Sequence, residues 1–279
     1  MFESIGGTRK SMVELTKGQL RKVQMTELEM LEEVDRICKK CNIHYNIIAG
    51  TLLGAVRHGG FIPWDDDADV AMLRPEYEKF RNACKTELDT TRYEFQDHRN
   101  TKGYRWGYGK LRRKDTLFLR EYQEQMPYFQ GVFIDIFPLD AVPDNYCLRT
   151  LKNFECFCVR KILWSKIGKK ADPCPVKRKV FQLLDKIPVG KVFAYYHQMI
   201  KKAAKKKTRM VRILMFPTPN SEWGYLRCWY ENSTDTVFEG KVFWGIKDYD
   251  SYLSFKFGEY RELPPMEMRK AHPVSRLKV

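Results

Sequence analysis

Apolar residues recur at helical spacing near the start of the chain. Leu20, Val23, Leu28, Leu31, Val34, Ile37, Cys38 and Cys41 share one face, which predicts an amphipathic helix from about residue 19 to 41. Asn42 ends it, and His44 to Ile48 reads as a short strand. Residues 50–60 are punctuated by glycine and read as loop and turn, with a helical turn at Leu52–Val56. Asp67 to Leu73 has the pattern of a strand, and Arg74-Pro75 breaks it before a helix from Glu76 to about Leu88. Tyr104–Leu111 and Thr116–Glu121 are further strands. GVFIDIF, Gly131 to Phe137, is a short apolar run with one aspartate inside, a buried strand that Pro138 ends. After it come large apolar residues interleaved with lysines and arginines, divided by Pro173, Pro175 and Pro188 into about three helical pieces. From about Trp223 the chain is aromatic-rich and carries the turn-like stretches FEGK and KDYDSY. There are no internal repeats and no long low-complexity linker. An α/β core with a helical insertion fits this order better than two tandem domains.

Composition changes that picture in one place. The chain has 279 residues, enough for one large domain or two small ones, and its 43% hydrophobic and 14% aromatic content is that of a globular protein. The formal net charge of +15 favours a polyanionic partner: nucleic acid, an acidic membrane surface or an anionic polymer. That charge is concentrated. Between Arg149 and Arg212 stand nineteen lysines and arginines against three acids, Glu155, Asp172 and Asp185, a net +16, so the remainder carries −1. Basic heads beside aromatic bodies suit helices lying in a membrane interface. The competing reading is an insertion whose apolar face packs on the protein while its lysines are solvated. Nucleic-acid binding ranks behind both, because charge alone supports it and no RNP-like or zinc-finger pattern is present.

The opening MFESIGGTRKSMVELTKGQL lacks the apolar core of a secretory signal, and no run of about 18 apolar residues predicts a spanning helix. The eight cysteines suggest no disulfide framework and read as reduced thiols of a cytoplasmic protein. Cys38-x-x-Cys41 could begin a zinc site, but it lies on the helical pattern and has no obvious second pair.

The stretch AGTLLGAVRHGGFIPWDDDADVAM, Ala49 to Met72, sets Asp65, Asp66, Asp67 and Asp69 among five residues. Packed carboxylates raise one another's pKa, so positive charge is expected among them. Residues i and i+2 of a strand share a face, so Asp67 and Asp69 point the same way, Asp65 can join them at the entrance, and Asp66 points away. Asp135 lies between Ile134 and Ile136, and a carboxylate there needs a partner. Asp67, Asp69 and Asp135 are therefore the candidate ligands of Mg2+ or Mn2+, with Asp140, read as loop after Pro138, competing for third place. Two divalent ions about 3.5–4 Å apart clamp the attacking and leaving oxygens of an in-line phosphoryl displacement. One carboxylate, with Asp135 the candidate, can take the proton of an acceptor hydroxyl. Blander readings are a solvated acidic turn, an EF-hand loop, for which Val70 stands where glycine is required, and, for Asp135, a buried pair with an arginine such as Arg112.

Tyr45 to Met72 resembles the signature of the LicD family, which includes bacterial phosphocholine transferases and the eukaryotic fukutin-related proteins. LTKGQLRKVQMTELEMLEEVDRICKKCNI, YEKF at Tyr77–Phe80, YGKLRRKDTLF at Tyr108–Phe118, GVFIDIFPLD at Gly131–Asp140 and FGEYRELPPMEMRKAHP at Phe257–Pro273 are also similar to it in content and order. The resemblance covers about two-thirds of the chain and describes 149–212 least; Glu259 stands where the family commonly has aspartate. It implies an α/β (α+β), nucleotidyltransferase-like mixed sheet flanked by helices. The catalytic core would be 1–145, the basic helical insertion 146–215, and 216–279 would pack back on the core. It implies Asp67, Asp69 and Asp135 as catalytic metal ligands; Asp65 is a further candidate from the strand pattern alone. Gly50-Thr51 would be a small-residue turn whose amides approach donor phosphates.

The reaction implied is transfer of a phospho-alcohol group from a CDP-linked donor to a hydroxyl of a cell-surface glycan or its lipid-linked precursor, with release of CMP. Phosphocholine from CDP-choline is the usual cargo; CDP-ribitol and CDP-glycerol are the alternatives. The expected place of work is the inner, cytoplasmic face of a membrane, held there by the basic insert. Arg57, Lys110 and Arg112 can neutralise a pyrophosphate. His58 can bind substrate or cap the turn. Trp64, Trp106 and Tyr108 can stack on cytosine or cage a quaternary ammonium, or simply fill the core. Two other functions use the same residues: an RNA-directed nucleotidyltransferase, and a non-catalytic membrane- or polymer-binding scaffold with a vestigial site.

Overall fold

The computed structural model of the chain describes residues 14–279. Its first element is the helix that the apolar spacing predicts. α1 (Lys17–Lys40) starts on a reciprocal cap: the Gln19 amide donates to the Thr16 hydroxyl, and the Thr16 amide donates to the Gln19 side chain. Leu20, Val23, Leu28, Leu31, Val34, Ile37 and Cys38 are buried along it, all but Leu20 in the main core. Cys38 is thus a core side chain, and all eight cysteines are free thiols.

β1 (Asn46–Ile47) is the expected short strand. Residues 50–60, expected as loop, instead fall mostly in α2 (Ala49–His58), which stops at a left-handed Gly59. The glycines that read as punctuation are there for close approach. A Cβ on Gly54 would sit 2.4 Å from the Gly60 carbonyl oxygen. β2 (Asp69–Leu73) begins two residues later than its pattern, and α3 (Arg74–Ala83) is shorter than expected. β3 (Tyr93–Gln96), β4 (Gly109–Arg113) and β5 (Leu117–Arg120) follow. The strand expected from Tyr104 starts only at Gly109, where pairing with the next core strand begins.

That strand is β6 (Phe133–Val142). After it come α4 (Tyr146–Ala171), α5 (Pro175–Leu184) and α6 (Val189–Ala204), the three helical pieces that the prolines predict. β7 (Met210–Arg212), β8 (Tyr225–Leu226), α7 (Arg227–Glu231), β9 (Ser233–Phe238), β10 (Lys241–Ile246), α8 (Tyr249–Phe257) and β11 (Val274–Lys278) complete the described chain. The central sheet runs β3-β4-β6-β2-β1-β10-β9, mixed in direction, with β6 parallel to β2 and β1 parallel to β10. β7 pairs with the far end of β6, and β5 forms a separate ribbon with β11.

Pro138 does not end β6, contrary to the sequence expectation, and the register explains why. The Asp135 amide donates to the Ala68 carbonyl, so alternate residues from Asp135 turn their backbone toward β2. Ile136, Pro138 and Asp140 face the other edge. There β4 stops opposite Ile136 and β7 starts opposite Asp140. The missing N–H of Pro138 falls in the gap between two partner strands, where no ladder bond is lost.

Asp140 is consequently a strand residue and not a loop ligand. Its carboxylate is buried and gripped at both oxygens by Arg74, at 2.8 and 2.6 Å. Arg74 also reaches the Tyr196 hydroxyl at 3.1 Å, and that hydroxyl donates to the Gly107 carbonyl at 2.7 Å. One charged cluster thereby ties α3, β6 and α6 together. Around it lies a second apolar core of Cys156, Val159, Leu163, Val192, Phe193, Tyr196 and Met199, closed by Val142, Met210, Leu214 and Met215.

His98 sits at the rim of this core, its ring stacked 4.3 Å from that of Phe193 and its Nε2 2.8 Å from that of His197. Burial pushes its pKa down to about 3. The unfolded chain takes up this proton near pH 6.5, so stability contributed by neutral His98 is present above that value and is lost as pH falls toward 3. His98→Phe is expected to flatten the acid side of the stability curve by on the order of 1 kcal/mol per pH unit over that window. Urea unfolding of both proteins between pH 7 and 4 checks this; parallel curves would contradict it.

Candidate active site

The site is built where α2 meets the start of β2. The Ile48 amide donates to the Asp69 carbonyl at 3.1 Å, and the Asp69 amide donates to the Thr51 hydroxyl at 2.8 Å. Thr51 is therefore a clasp between helix and strand. Gly50 has no room for a side chain, since a Cβ would lie 2.6 Å from Asp65 Oδ2. The first amides of α2 have no intrahelical partner and carry the positive end of the helix dipole.

Across the sheet the key residues form a row. Asp69 of β2 is in register with Asp135 of β6, which is in register with Lys110 of β4. The Lys110 ammonium bonds Asp135 Oδ1, so Asp135 is paired with Lys110 and not with Arg112. Arg112 donates to Gln96 Oε1 and the Gly131 carbonyl, both at 2.7 Å. Asp67 precedes the strand and meets Arg120 at 3.2 Å. Asp66 is turned away from the row, as expected, although it precedes the strand and is held by His272 and not by strand alternation. It is buried, and accepts from both the backbone and the ring of His272, at 2.9 and 2.8 Å.

This is no solvated turn. Burial, then the neighbouring Asp67, Asp135 and Asp65, pushes the Asp69 carboxyl well above the usual range. Burial and then Asp67 and Asp66 raise Asp65 to about 7. Glu27 on α1, also fully buried, is pushed up by burial and by Asp67, Asp66 and Asp65, and its Oε2 has no hydrogen-bond partner. The cations respond in kind. Burial lowers Lys110 to about 8 against the pull of Asp135, while Asp67 and Asp66 outweigh the burial of Arg120 and raise it. His272 is raised, chiefly by its bond to Asp66. The carboxyl groups outnumber the cations that face them, and the excess is held by pushing Asp69, Asp65 and Glu27 toward their protonated forms. An all-oxygen donor set that is crowded in this way fits a hard divalent cation, which would displace those protons. The fit is one of donor chemistry and not of geometry: among the described residues no three His, Cys, Asp or Glu side chains are gathered closely enough to hold an ion.

Two cavities meet at Asp67. One, of about 670 Å³, is lined by Gly50, Arg57, Trp64, Asp65, Asp67 and Lys256, and also by Glu259 of the tail. The other, of about 260 Å³, is lined by Asp67, Asp69 and Asp135 together with Lys110, Arg112 and Arg120. The three acids expected to act together thus face one space. Trp106 and Tyr108 line the smaller cavity as well. Arg57 is partly committed, donating to the carbonyls of Tyr260 and Glu262. His58 accepts from the Arg57 Nε at 3.0 Å and lines neither cavity. Glu27, Arg120, Lys256 and His272 were not candidates from the sequence. Each comes from a distant segment, and only the raised charge of the acid cluster signalled that such partners had to exist.

Residues 42–156 match the family model of the LicD/FKTN/FKRP nucleotidyltransferase domain. This segment is a LicD family domain. Over 270 residues the chain is 27% identical to the lipopolysaccharide cholinephosphotransferase LicD of Haemophilus influenzae, covering 93% of this chain and 98% of that protein. An uncharacterised protein of Rickettsia typhi is 35% identical over 75 residues, a quarter of this chain and 24% of that protein. The LicD segment holds Gly50, the aspartates, Lys110 and Asp135. Lys256, His272, and the Trp164 and Phe216 that also line the smaller cavity lie beyond it.

Half-buried Asp69 and fully buried Asp140 should respond oppositely to neutralisation. Asp69→Asn relieves repulsion, so the metal-free protein should melt no lower than wild type and by about 2–4 °C higher for each kcal/mol recovered. Asp140→Asn leaves Arg74 buried and half-paired and should cost about 3 kcal/mol. Differential scanning calorimetry in EDTA distinguishes them; a large loss for Asp69→Asn would refute the account of the cluster.

Proposed function

We propose that this chain transfers phosphocholine from CDP-choline to a hydroxyl of a cell-surface glycan or its lipid-linked precursor, releasing CMP. The observation that carries this reading is the convergence of Asp67, Asp69 and Asp135 on one cavity, where crowding raises the Asp69 carboxyl, next to a larger cavity lined by Ala49 and Gly50 at the start of α2. The relative named as a lipopolysaccharide cholinephosphotransferase, aligned along nearly the whole of both chains, supports the cargo and the acceptor class.

In this reading the diphosphate of the donor lies toward Gly50 and Lys256. The acceptor oxygen attacks the phosphorus that bears choline, and the bond from that phosphorus to the CMP oxygen breaks in line with it. Asp135 takes the hydroxyl proton. Lys110 holds one of its oxygens and leaves the other for that task. Arg120 and Lys256 face charge that builds on the phosphate oxygens. Mg2+ or Mn2+ held by Asp67, Asp69 and Asp135, with Asp65 beside them, would supply Lewis-acid neutralisation of the phosphates.

CMP release from CDP-choline, CDP-ribitol and CDP-glycerol, with Mg2+ and with EDTA, tests this reading. CDP-choline should be the preferred donor, and Asp69→Asn should lower turnover by at least 100-fold. Turnover that survives both EDTA and Asp69→Asn, or no cleavage of any CDP-alcohol, would overturn it.

We further infer that the protein works on an acidic membrane surface. No described helix is long and apolar enough to cross a membrane. The outward faces of α4 and α5, however, leave Leu151, Phe154, Val176 and Leu183 64–70% exposed, within the segment of net charge +16. Aliphatic and aromatic side chains among lysines match an anionic bilayer in both terms of its attraction. The chain should sediment with vesicles containing phosphatidylglycerol, less so as salt rises, and at least tenfold less after Leu151→Ser, Phe154→Ser and Leu183→Ser are combined. Equal binding of that variant would remove the membrane role.

A further inference from the structure

A transfer reaction brings two substrates to one set of acids, and the smaller cavity does not end at them. Trp106, Tyr108, Trp164 and Phe216 line both it and an adjoining space of about 210 Å³ beside α4, so the two share an aromatic wall. None of the residues around that adjoining space lines the larger cavity. That larger cavity is of a size for a nucleotide-bearing donor.

The lining of the adjoining space has two properties. Its walls are broad aromatic faces, which suit the flat C–H face of a sugar ring. Its charged lining groups are all cations, Arg105, Arg160 and Lys161. Lys161 lies 5.5 Å from the Trp164 ring centre, and Arg160 donates to the Phe216 carbonyl at 3.2 Å. Among the described residues neither has a carboxylate partner. The nearby acid, Asp185, is taken by Arg105 at 3.1 Å and Lys169 at 2.6 Å. A choline headgroup, itself a cation, would be repelled there; an anion would be held.

We propose that the space formed by Trp106, Trp164 and Phe216 with Arg160 and Lys161 is the acceptor subsite, and that it takes a sugar carrying a negatively charged group. This rests on the transferase reading above. Trp164, Arg160, Lys161 and Phe216 all lie beyond residue 156, outside the matched family segment. Acceptor choice is thereby assigned to the helical insertion and the strand segment after it, while the donor chemistry stays with the family core.

The full chain tests this by saturation-transfer NMR titrations with glucose, glucose 6-phosphate and glucuronate, the two anions separating phosphate from carboxylate. At least one anionic sugar should bind tenfold or more tightly than glucose. Lys161→Glu, a half-buried position whose change leaves the packing intact, should weaken that binding at least tenfold, as should Trp164→Ala. Equal binding of all three sugars, no binding of either anion, or unaltered binding in Lys161→Glu overturns the proposal. So does a rise in the Kd of CDP-choline in place of that of the sugar, which would give the space to the donor. Sugar binding is read without turnover, so a chain that cleaves no CDP-alcohol would remove the transferase reading and still leave the subsite measurable.

Discussion

Repulsion among crowded, partly to fully buried carboxylates is the constraint around which this molecule is arranged. Asp69 and Asp135 stand opposite each other on adjacent parallel strands, with Asp65, Asp67 and Glu27 close by. Such a group is tolerated only if cations are delivered to it or a carboxyl keeps its proton. The fold delivers them from several directions. β4 brings Lys110, β5 brings Arg120, and α8 brings Lys256. The ribbon of β11 with β5 carries the tail back across the site and sets His272 on Asp66. The tail is thus part of the charge balance of the acids, and not an appendage to the core.

The basic helical segment is tied into the same framework while presenting two unlike faces. Inward, α4 and α6 build an apolar core, and Tyr196 links it to the buried Arg74–Asp140 pair. This matches the reading of an insertion that packs on the protein. Outward, α4 and α5 leave apolar side chains in water among lysines, the feature on which the proposed membrane role rests. β6 makes the junction possible. It is long enough to pair first with β4 and then with β7, and its proline occupies the only span where neither is present. Removing a donor there costs no ladder bond, so the strand can serve the acid site with one half and anchor the insertion with the other.

What the sequence determined by itself was whatever depends on neighbours within a few residues. The spacing of Leu20 to Cys38 specified α1 and its buried face, because a 3.6-residue period needs no distant partner. The prolines divided 146–204 into three helices for the same reason. The isolated Asp135 in an apolar strand and the clustered aspartates at 65–69 were visible as groups that could not be buried alone, and the sheet does set Asp69 beside Asp135. Tertiary structure decided the rest. Gly50 and Gly54 look like loop residues until the Asp65 carboxylate and the Gly60 carbonyl are seen against them. Asp140 looks like a third ligand until Arg74, 66 residues away, takes both of its oxygens. His272 meets Asp66 across 206 residues. Charge must be compensated wherever it is buried, and so the sequence shows that partners are required. Which residues supply them depends on how the strands are ordered, and no local pattern encodes that order.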